Sequence, residues 1–214
     1  MKRLITFTVC CFIVMQLSAQ TTIGELWKAM PDSILPYFNA AARSEIIDTY
    51  KTGKVTKTKN LLEGESWAKN IKDNYICIQL NNITEMQLQL LHSSDSTSII
   101  CMVKTFGVPA AESEITFFDM EWKRIDSDFG LPNFNDKNTT MKLLLQKPDT
   151  ISNERFGKIK KMFEPATTVA QLDADGKGTI TFSIKGLLLT RDEEKELKPI
   201  KMQKTFKWNG KAFK

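Results

Sequence analysis

The sequence predicts an α+β protein, in which antiparallel meander sheet is covered on one face by a few short helices. From residue 54 onward the apolar residues recur with a period of two, whereas before it they recur with helical spacing. Between Ser98 and Trp122 lie two strand-like runs. The first, Ile99 to Val103, is apolar on both faces, which predicts a central strand with cover on each side. The second predicts a half-buried neighbouring strand, in which apolar and acidic residues alternate: Phe118, Asp119, Met120, Glu121 and Trp122.

The N-terminus has the pattern of a secretory signal peptide over residues 1–19. Lys2 and Arg3 precede an apolar run from Leu4 to Leu17, which is too short to span a bilayer stably. Ala19 supplies the small residue at the cleavage site, so the mature chain is expected to begin at Gln20. We therefore expect an exported protein, located in the periplasm or at the cell surface.

Removing the predicted signal peptide shortens the chain from 214 to 195 residues, and without its two basic residues the net charge of +5 becomes +3. So small an excess does not favour a nucleic-acid partner. No other apolar run reaches membrane length, so no transmembrane segment is expected after cleavage. The length allows two units, 20–126 and 139–214, joined by a polar linker over 126–138, or one continuous domain over 20–214.

The four cysteines divide into two pairs. Cys10 and Cys11 lie in the middle of the apolar signal run, and this position disfavours a lipoprotein, whose cysteine would follow the run. Cys77 and Cys101 lie in apolar strand-like runs. They could form a disulfide in an oxidising compartment or remain buried thiols, and the strand register decides between the two.

Two short helices are predicted near the start of the mature chain. The first begins with a capping box, Thr22 followed by Glu25, and ends before Pro31. Its apolar residues keep helical spacing and are Ile23, Leu26, Trp27 and Met30. The second is capped by Asn39 and ends at Gly53.

Period-two patterns predict the strands that follow. In the first half these are Val55–Leu62 as a lysine-rich edge strand, Ser66–Ile71, and a hairpin of Tyr75–Leu80 with Met86–Leu90. After the central strands come a short strand over Met141–Leu145 and a helix capped by Thr150 or Ser152. The last strands are Thr168–Leu172, Thr179–Ile184 and Met202–Trp208, followed by a hairpin turn at Asn209-Gly210.

A shift of 81 positions aligns parts of the two halves. Ile99, Cys101 and Val103 then fall on Ile180, Phe182 and Ile184. The match is consistent with two unequal tandem repeats, and also with the ordinary statistics of hairpins.

Four aromatic residues are the candidates for a binding surface: Trp27, Tyr37, Phe38 and Trp67. Exposed aromatic side chains commonly contribute to binding sites. The alternative is that these residues pack helices on the sheet.

Two patterns bear on metal binding and catalysis. Asp173 to Ile184 resembles a calcium loop, but Lys177 and Ile184 occupy ligand positions, so a tight hairpin turn is the better interpretation. His92, the single histidine, lies in a polar loop and has no second ligand or nucleophile motif nearby in the sequence. We therefore predict no metal, no cofactor and no catalytic residue.

Two pairs of carboxylates are spaced to share a strand face: Glu112 with Glu114, and Asp119 with Glu121. Paired carboxylates can hydrolyse glycosidic bonds when they face each other across a cleft. Solvent-facing strand positions are the better explanation.

Lysines recur at every third position near the C-terminus, which predicts charge protection of an edge strand or, alternatively, a patch that meets an acidic polymer or a lipopolysaccharide surface. They are Lys195, Lys198, Lys201, Lys204 and Lys207.

Three segments together resemble a domain-of-unknown-function family of exported proteins of about this length from Gram-negative gut bacteria: 26–50, 60–66 and 98–122. The resemblance implies export and an envelope setting, and it transfers no activity. The arrangement also looks like the tandem fold of the beta-lactamase inhibitory protein, at the level of architecture only.

We expect a non-enzymatic binding or interaction protein of the bacterial envelope, whose partner is a protein, peptide or glycan. The alternative is an envelope glycan hydrolase that uses the paired carboxylates.

Overall fold

Two antiparallel sheets and several short helices make up the structure, a computed structural model that describes residues 21–53, 57–107, 110–134, 136–163, 166–185, 190–197, 200 and 202–214. The predicted signal peptide lies outside these residues. The helices are α1 (Ile23–Ala29), α2 (Ala40–Lys51), α3 (Lys137–Leu144), α4 (Asn153–Met162) and α5 (Arg191–Leu197). The strands are β1 (Thr58–Lys59), β2 (Glu65–Ile71), β3 (Tyr75–Asn81), β4 (Thr84–His92), β5 (Ser98–Phe106), β6 (Glu112–Phe118), β7 (Arg124–Ile125), β8 (Thr167–Leu172), β9 (Thr179–Lys185) and β10 (Gln203–Lys207).

Both sheets are meanders, because each strand pairs with the next one along the chain. The larger sheet has seven strands in the order β1 to β7, and the smaller has three in the order β8 to β10. β4 and β5 pair over their full lengths, from Thr84 opposite Phe106 to His92 opposite Ser98. The α+β fold class with antiparallel meander sheet is therefore confirmed.

The central strand β5 is buried on both faces, as predicted. Ile100 and Met102 belong to a core that the large sheet forms with α1 and α2. Ile99, Cys101 and Val103 belong to a second core, formed with the small sheet, α3 and α4. The large sheet is thus the middle of three layers, which explains why the pattern of β5 is apolar throughout.

A buried arginine holds the segment between α1 and α2. The guanidinium of Arg43 donates hydrogen bonds to the carbonyl oxygens of Met30 and Phe38, and it lies 2.9 Å from the carboxylate of Asp32. The indole N–H of Trp27 donates to the Arg43 carbonyl at 3.0 Å. The capping box of α1 and the Asn39 cap of α2 are both present, as predicted.

The second strand-like run predicted between Ser98 and Trp122 is wrong in its position along the chain. The strand is β6, which ends at Phe118, and residues 119–122 form a turn. Asp119 closes this turn because its Oδ1 accepts the N–H groups of Glu121 and Lys123, each at 2.9 Å. Trp122 has a positive φ of 64°, which a continuing strand does not allow.

The predicted strand over Met141–Leu145 is also wrong, because this segment lies largely in α3. The carboxylate of Asp136 caps the helix and accepts the N–H groups of Asn138 and Thr139. This side-chain cap satisfies donors that a helix N-terminus otherwise leaves free.

Two further predictions hold in part. β1 lies at the sheet edge as predicted but is short, and residues 54–56 of the predicted strand lie outside the described residues. In the lysine series, Lys195 is in α5 and not in a strand, whereas Lys204 and Lys207 are in β10. Lys198 and Lys201 lie outside the described residues.

The hairpin at Asn209-Gly210 is confirmed. Trp208 pairs with Phe213 across it, and Gly210 adopts a φ of 91°. The backbone N–H of Asn209 donates to the Ala212 carbonyl at 3.1 Å, and the side-chain oxygen of Asn209 accepts the N–H groups of Lys211 and Ala212, at 3.0 and 2.9 Å. The helix capped by Ser152 and the three C-terminal strands are likewise present.

Cys77 and Cys101 are buried free thiols. They lie on β3 and β5, which are separated by β4, and each is opposite a glutamine of that strand. Two strand spacings place their Cα atoms roughly 10 Å apart, beyond the reach of a disulfide. Burial raises the pKa of the Cys77 thiol to about 12 and that of the Cys101 thiol further.

Candidate functional site

A large cleft lies between the outer edge of β6 and the helices α3 and α4. Its volume is about 1580 Å³. The first part of β8 and the last part of β9 form its inner side. Sites for drug-sized ligands usually measure about 300–1,000 Å³, so this cleft is large enough for an extended chain segment.

One wall of the cleft is an open strand edge. Four consecutive residues, Glu112 to Ile115, line the cavity. Because successive side chains of a strand point to opposite faces, a cavity that borders four in a row runs along the edge of the strand. β7 pairs with β6 only at Phe117 and Phe118, so among the described residues no strand pairs with this edge over 112–116.

Apolar side chains line part of the inner surface of the cleft, beside Thr167 and Thr168. Phe163 and Leu145 are buried, and Phe134 stacks on Phe182 with ring centroids 3.7 Å apart. Ile184 at the end of β9 extends this surface. A backbone seated against β6 could therefore bury apolar side chains on the same side.

The cleft carries charges of both signs, and the exposed Arg124 of β7 borders it on the strand side. Glu112 and Glu114 lie on the strand, and both are exposed. Lys142 of α3 and Lys160 and Lys161 of α4 lie on the helical wall. Across the part of the chain that the structure describes, these three lysines form no ion pair.

Side-chain hydrogen bonds hold the inner wall in place. The Ser113 hydroxyl accepts the N–H of Ala170 at 2.9 Å and lies 2.6 Å from the hydroxyl of Thr105. The Thr167 hydroxyl donates to the carbonyl of Ala111 at 2.6 Å. Since these bonds tie β8 to β6, the cleft is formed before any ligand arrives.

Trp27 and Phe38 correct the prediction of an aromatic binding surface. Both are 0 % exposed and pack against each other in the core beneath α1 and α2, with ring centroids 5.8 Å apart. The indole N–H of Trp27 is also occupied by the Arg43 carbonyl. They are packing residues and present no surface to a ligand.

Tyr37 and Trp67 are half-buried and lie apart from the cleft. Tyr37 borders a hollow of about 240 Å³ beside Leu61, and burial raises its pKa. Lys57 lies over the ring of Trp67, 5.4 Å from its centroid. A binding role for these two residues stays a prediction.

The carboxylate pairs lie at opposite ends of β6. Glu112 and Glu114 stand at its start, whereas Asp119 and Glu121 are in the turn beyond its end. Asp119 accepts hydrogen bonds within that turn, and Glu121 pairs with Lys123 at 2.7 Å. The two pairs are separated by roughly 20 Å of strand, so they cannot act together.

The calcium-like segment forms the tight turn between β8 and β9, as predicted. Asp173 accepts N–H groups of Asp175 and Lys177, at 3.0 and 3.3 Å. Lys72 donates to Asp175 at 2.6 Å, and this hydrogen bond lowers the pKa of the Asp175 carboxyl. No group of three or more histidine, cysteine, aspartate or glutamate residues within the described ranges is placed to hold a metal ion.

His92 is the last residue of β4 and not a loop residue. Its Nδ1 lies 2.9 Å from the Ser98 hydroxyl, and its carbonyl accepts the indole N–H of Trp208 at 2.7 Å. Both contacts join strand ends at the side of the sheet away from the cleft.

Sequence reasoning missed the cleft because two of its walls were misassigned. The alternating pattern places the strand at residues 118–122, whereas β6 spans Glu112–Phe118. It also predicts a strand over Met141–Leu145, most of which lies in α3. The Asp136 cap, three residues before Thr139, was the available signal for the helix. No described strand pairs with the outer edge of β6 over 112–116, and this depends on where the chain turns after Ile125, which local pattern does not show.

None of the described helices is both long and apolar enough to cross a bilayer.

A solved structure with the same fold is a domain of an uncharacterised protein from Porphyromonas gingivalis W83. It superposes with a TM-score of 0.65 over 90% of this chain and 96% of that chain, at 22% sequence identity. At such identity the likeness shows a shared fold alone. No curated protein matches the chain.

The model of a family described as "Protein of unknown function (DUF3256)" matches residues 14–213. The match spans nearly the whole sequence and both sheets. The chain therefore belongs to this domain-of-unknown-function family.

Proposed function

We propose that this chain is a non-enzymatic binding protein that recognises an extended polypeptide segment. The segment adds as a strand to the free edge of β6 and lies in the cleft. The observation that carries the proposal is the run of four consecutive β6 residues, Glu112 to Ile115, along the cavity. Addition of a strand to an open sheet edge is a recurrent mode of peptide recognition.

The backbone supplies most of the attraction. A strand edge of four residues presents two outward N–H groups and two outward carbonyls. Each backbone hydrogen bond contributes about 0.5–1.5 kcal/mol net. Apolar side chains of the ligand add about 25 cal/mol per Å² that they bury against the half-buried Ile115, Phe134 and Met141. After the cost of association, we expect affinities of roughly micromolar strength.

The hydroxyl groups nearest the strand edge make structural hydrogen bonds that hold the two sheets together. Ser113 and Thr167 are both engaged with backbone groups of the neighbouring sheet. This supports a binding role for the cleft over a catalytic one. With it we propose export through the segment 1–19 and a place in the bacterial envelope, where the partner is a protein or peptide.

The test uses a synthetic peptide of seven alternating valine and threonine residues, blocked at both ends. Binding is measured by isothermal titration calorimetry. Two matched peptides carry N-methyl groups on alternate amides, one at odd and the other at even positions. In a bound strand only every second N–H points at the partner, so one methylated peptide should lose binding and the other should keep it.

Two results would contradict the proposal. One is equal binding of both methylated peptides, which would mean that no strand ladder forms. The other is the absence of binding by all three peptides at millimolar concentration.

A further inference from the structure

We infer that the cleft selects a strand with basic residues on one face and apolar residues on the other. This inference rests on the proposed function and adds the chemical class of the partner. It follows from the way in which β6 divides its own side chains.

The two faces of β6 have different surroundings. Phe118 belongs to the core beneath α1 and α2, and Phe117 belongs to the core between the sheets. Since side chains alternate, Glu112 and Glu114 point to the Phe118 face, and Ile115 points to the Phe117 face. An added strand would follow the same alternation.

On the Phe117 face the partner's side chains meet the apolar part of the inner surface of the cleft. On the other face they stand beside Glu112 and Glu114, at about 5 Å between Cβ atoms. Opposite charges at such cross-strand positions attract, and like charges repel. Lys104 is the β5 residue opposite Glu114, whereas the apolar Phe106 is opposite Glu112. The carboxylate of Glu112 therefore gains most from a basic partner residue.

A second copy of this chain fits the same edge poorly. If β6 paired antiparallel with itself about Glu114, the two Glu114 carboxylates would be opposite each other. If it paired about Ser113, Glu112 would be opposite Glu114. Each arrangement puts like charges in contact, which disfavours edge-to-edge dimers.

The lysines of the helical wall favour the opposite preference, for an acidic strand. Lys142, Lys160 and Lys161 would attract an acidic strand, and so would Arg124 of β7. All of these charged side chains are exposed, as Glu112 and Glu114 are, so salt screens both sets alike. The lysines lie on helices across the cavity, and Arg124 is opposite Phe118, four residues along β6 from Glu114. Glu112 and Glu114 are on the strand that the ligand joins, and charge interactions weaken with distance. Glu112 and Glu114 should therefore decide the preference.

The experiment compares two peptides, valine alternating with lysine and valine alternating with glutamate. At low salt the lysine peptide should bind about five- to tenfold more tightly to the unmodified protein, as two cross-strand pairs allow. In the variant Glu112→Lys/Glu114→Lys the preference should reverse. The control Glu45→Lys/Glu121→Lys, which changes the net charge equally but lies outside the cleft, should keep the original preference.

Each remaining outcome has a distinct meaning. The lysine and glutamate peptides could bind with equal affinity while only one of the two N-methylated valine–threonine peptides binds. That result would overturn the inference and leave strand addition in place. Tighter binding of the glutamate peptide would also overturn it and assign selection to the lysines. Equal binding of the two N-methylated valine–threonine peptides would overturn the proposed function and the inference together.

Discussion

Ser113 of β6 accepts a hydrogen bond from the backbone N–H of Ala170 in β8, at 2.9 Å. β8 is the edge strand of the small sheet, so within the described ranges its outward N–H groups have no strand partner. Two residues along β8, the side-chain oxygen of Gln87 accepts the N–H of Leu172 at 2.8 Å. Polar side chains of the large sheet thus satisfy the edge of the small one, and this arrangement joins the two sheets.

Substituting Ser113→Ala should lower the free energy of unfolding by about 1–2 kcal/mol. Ala170 is buried, so its N–H would lose its partner without gaining water. Urea denaturation followed by circular dichroism measures the change. The control is Ser183→Ala on β9, a half-buried serine whose hydroxyl makes no hydrogen bond within the described structure. A loss as large in the control would refute the explanation.

Gln87 and Gln89 lie on the same face of β4, and we predict opposite effects for them. Gln87→Leu should destabilise the protein by about 1–2 kcal/mol, because the Leu172 N–H loses its acceptor. Gln89 is 0 % exposed, and neither atom of its amide has a hydrogen-bond partner in the described structure. Gln89→Leu should therefore stabilise it by about 1 kcal/mol. The melting temperatures of the two variants measure these changes. Shifts of the same sign in both variants would contradict the prediction.

Gly176 should not tolerate a side chain. A Cβ at this position would lie 2.0 Å from the Oδ1 of Asn74, and the φ of 71° is itself unfavourable for other residues. The Asn74 side chain also donates to the Gly176 carbonyl at 2.7 Å. We expect Gly176→Ala to cost about 2 kcal/mol or more in urea unfolding.

The matched control for Gly176 is Gly157→Ala in α4, where a Cβ meets open space. Alanine favours helix over glycine by up to about 1 kcal/mol, so this variant should be more stable than the parent. If both alanine variants were equally stable, the close contact between the turn and Asn74 would not exist in solution.

Glu85 should make stability depend on acid pH. Burial of this carboxyl opposes ionisation, but hydrogen bonds from Lys69 at 2.5 Å and Gln87 at 2.6 Å outweigh it and lower its pKa. A carboxyl with a lowered pKa stabilises the fold above its unfolded pKa, near 4, and this stabilisation is lost as the pH falls through the folded pKa. Glu85→Gln should therefore flatten the decline of the melting temperature between pH 5 and pH 3. An unchanged slope would show that Glu85 does not contribute.

The sequence predicts the elements whose determinants are local. Three local signals predict their elements correctly. They are the capping box of Thr22 and Glu25 for α1, the Asn39 cap for α2 and the two apolar faces of β5. The turn after Phe118 was not predicted, because Phe118, Met120 and Trp122 keep a strand period while the Asp119 side chain bends the chain. An alternating pattern cannot show a turn that a single carboxylate closes.

The candidate site depends on tertiary arrangement. The cleft exists because β7 is short and the chain then leaves β6, which places α3 opposite the free edge. Trp27 and Phe38 illustrate the converse: an aromatic pair that suggests a binding surface is enclosed once Arg43 fixes the segment between the helices. The domain limits, the internal repeat, the likeness to the beta-lactamase inhibitory protein and the glycan-hydrolase alternative stay predictions.

Amide hydrogen exchange of β6, measured by NMR with and without the valine–threonine peptide, tests the central claim most directly. In the free protein, alternate amides between Glu112 and Thr116 should exchange quickly, because they point into the cleft, while those bonded to β5 exchange slowly. With peptide, the fast amides should become protected, and β4 should not change. Slow exchange of every one of these amides in the free protein, or protection confined to another part of the fold, would contradict an open edge that receives a strand.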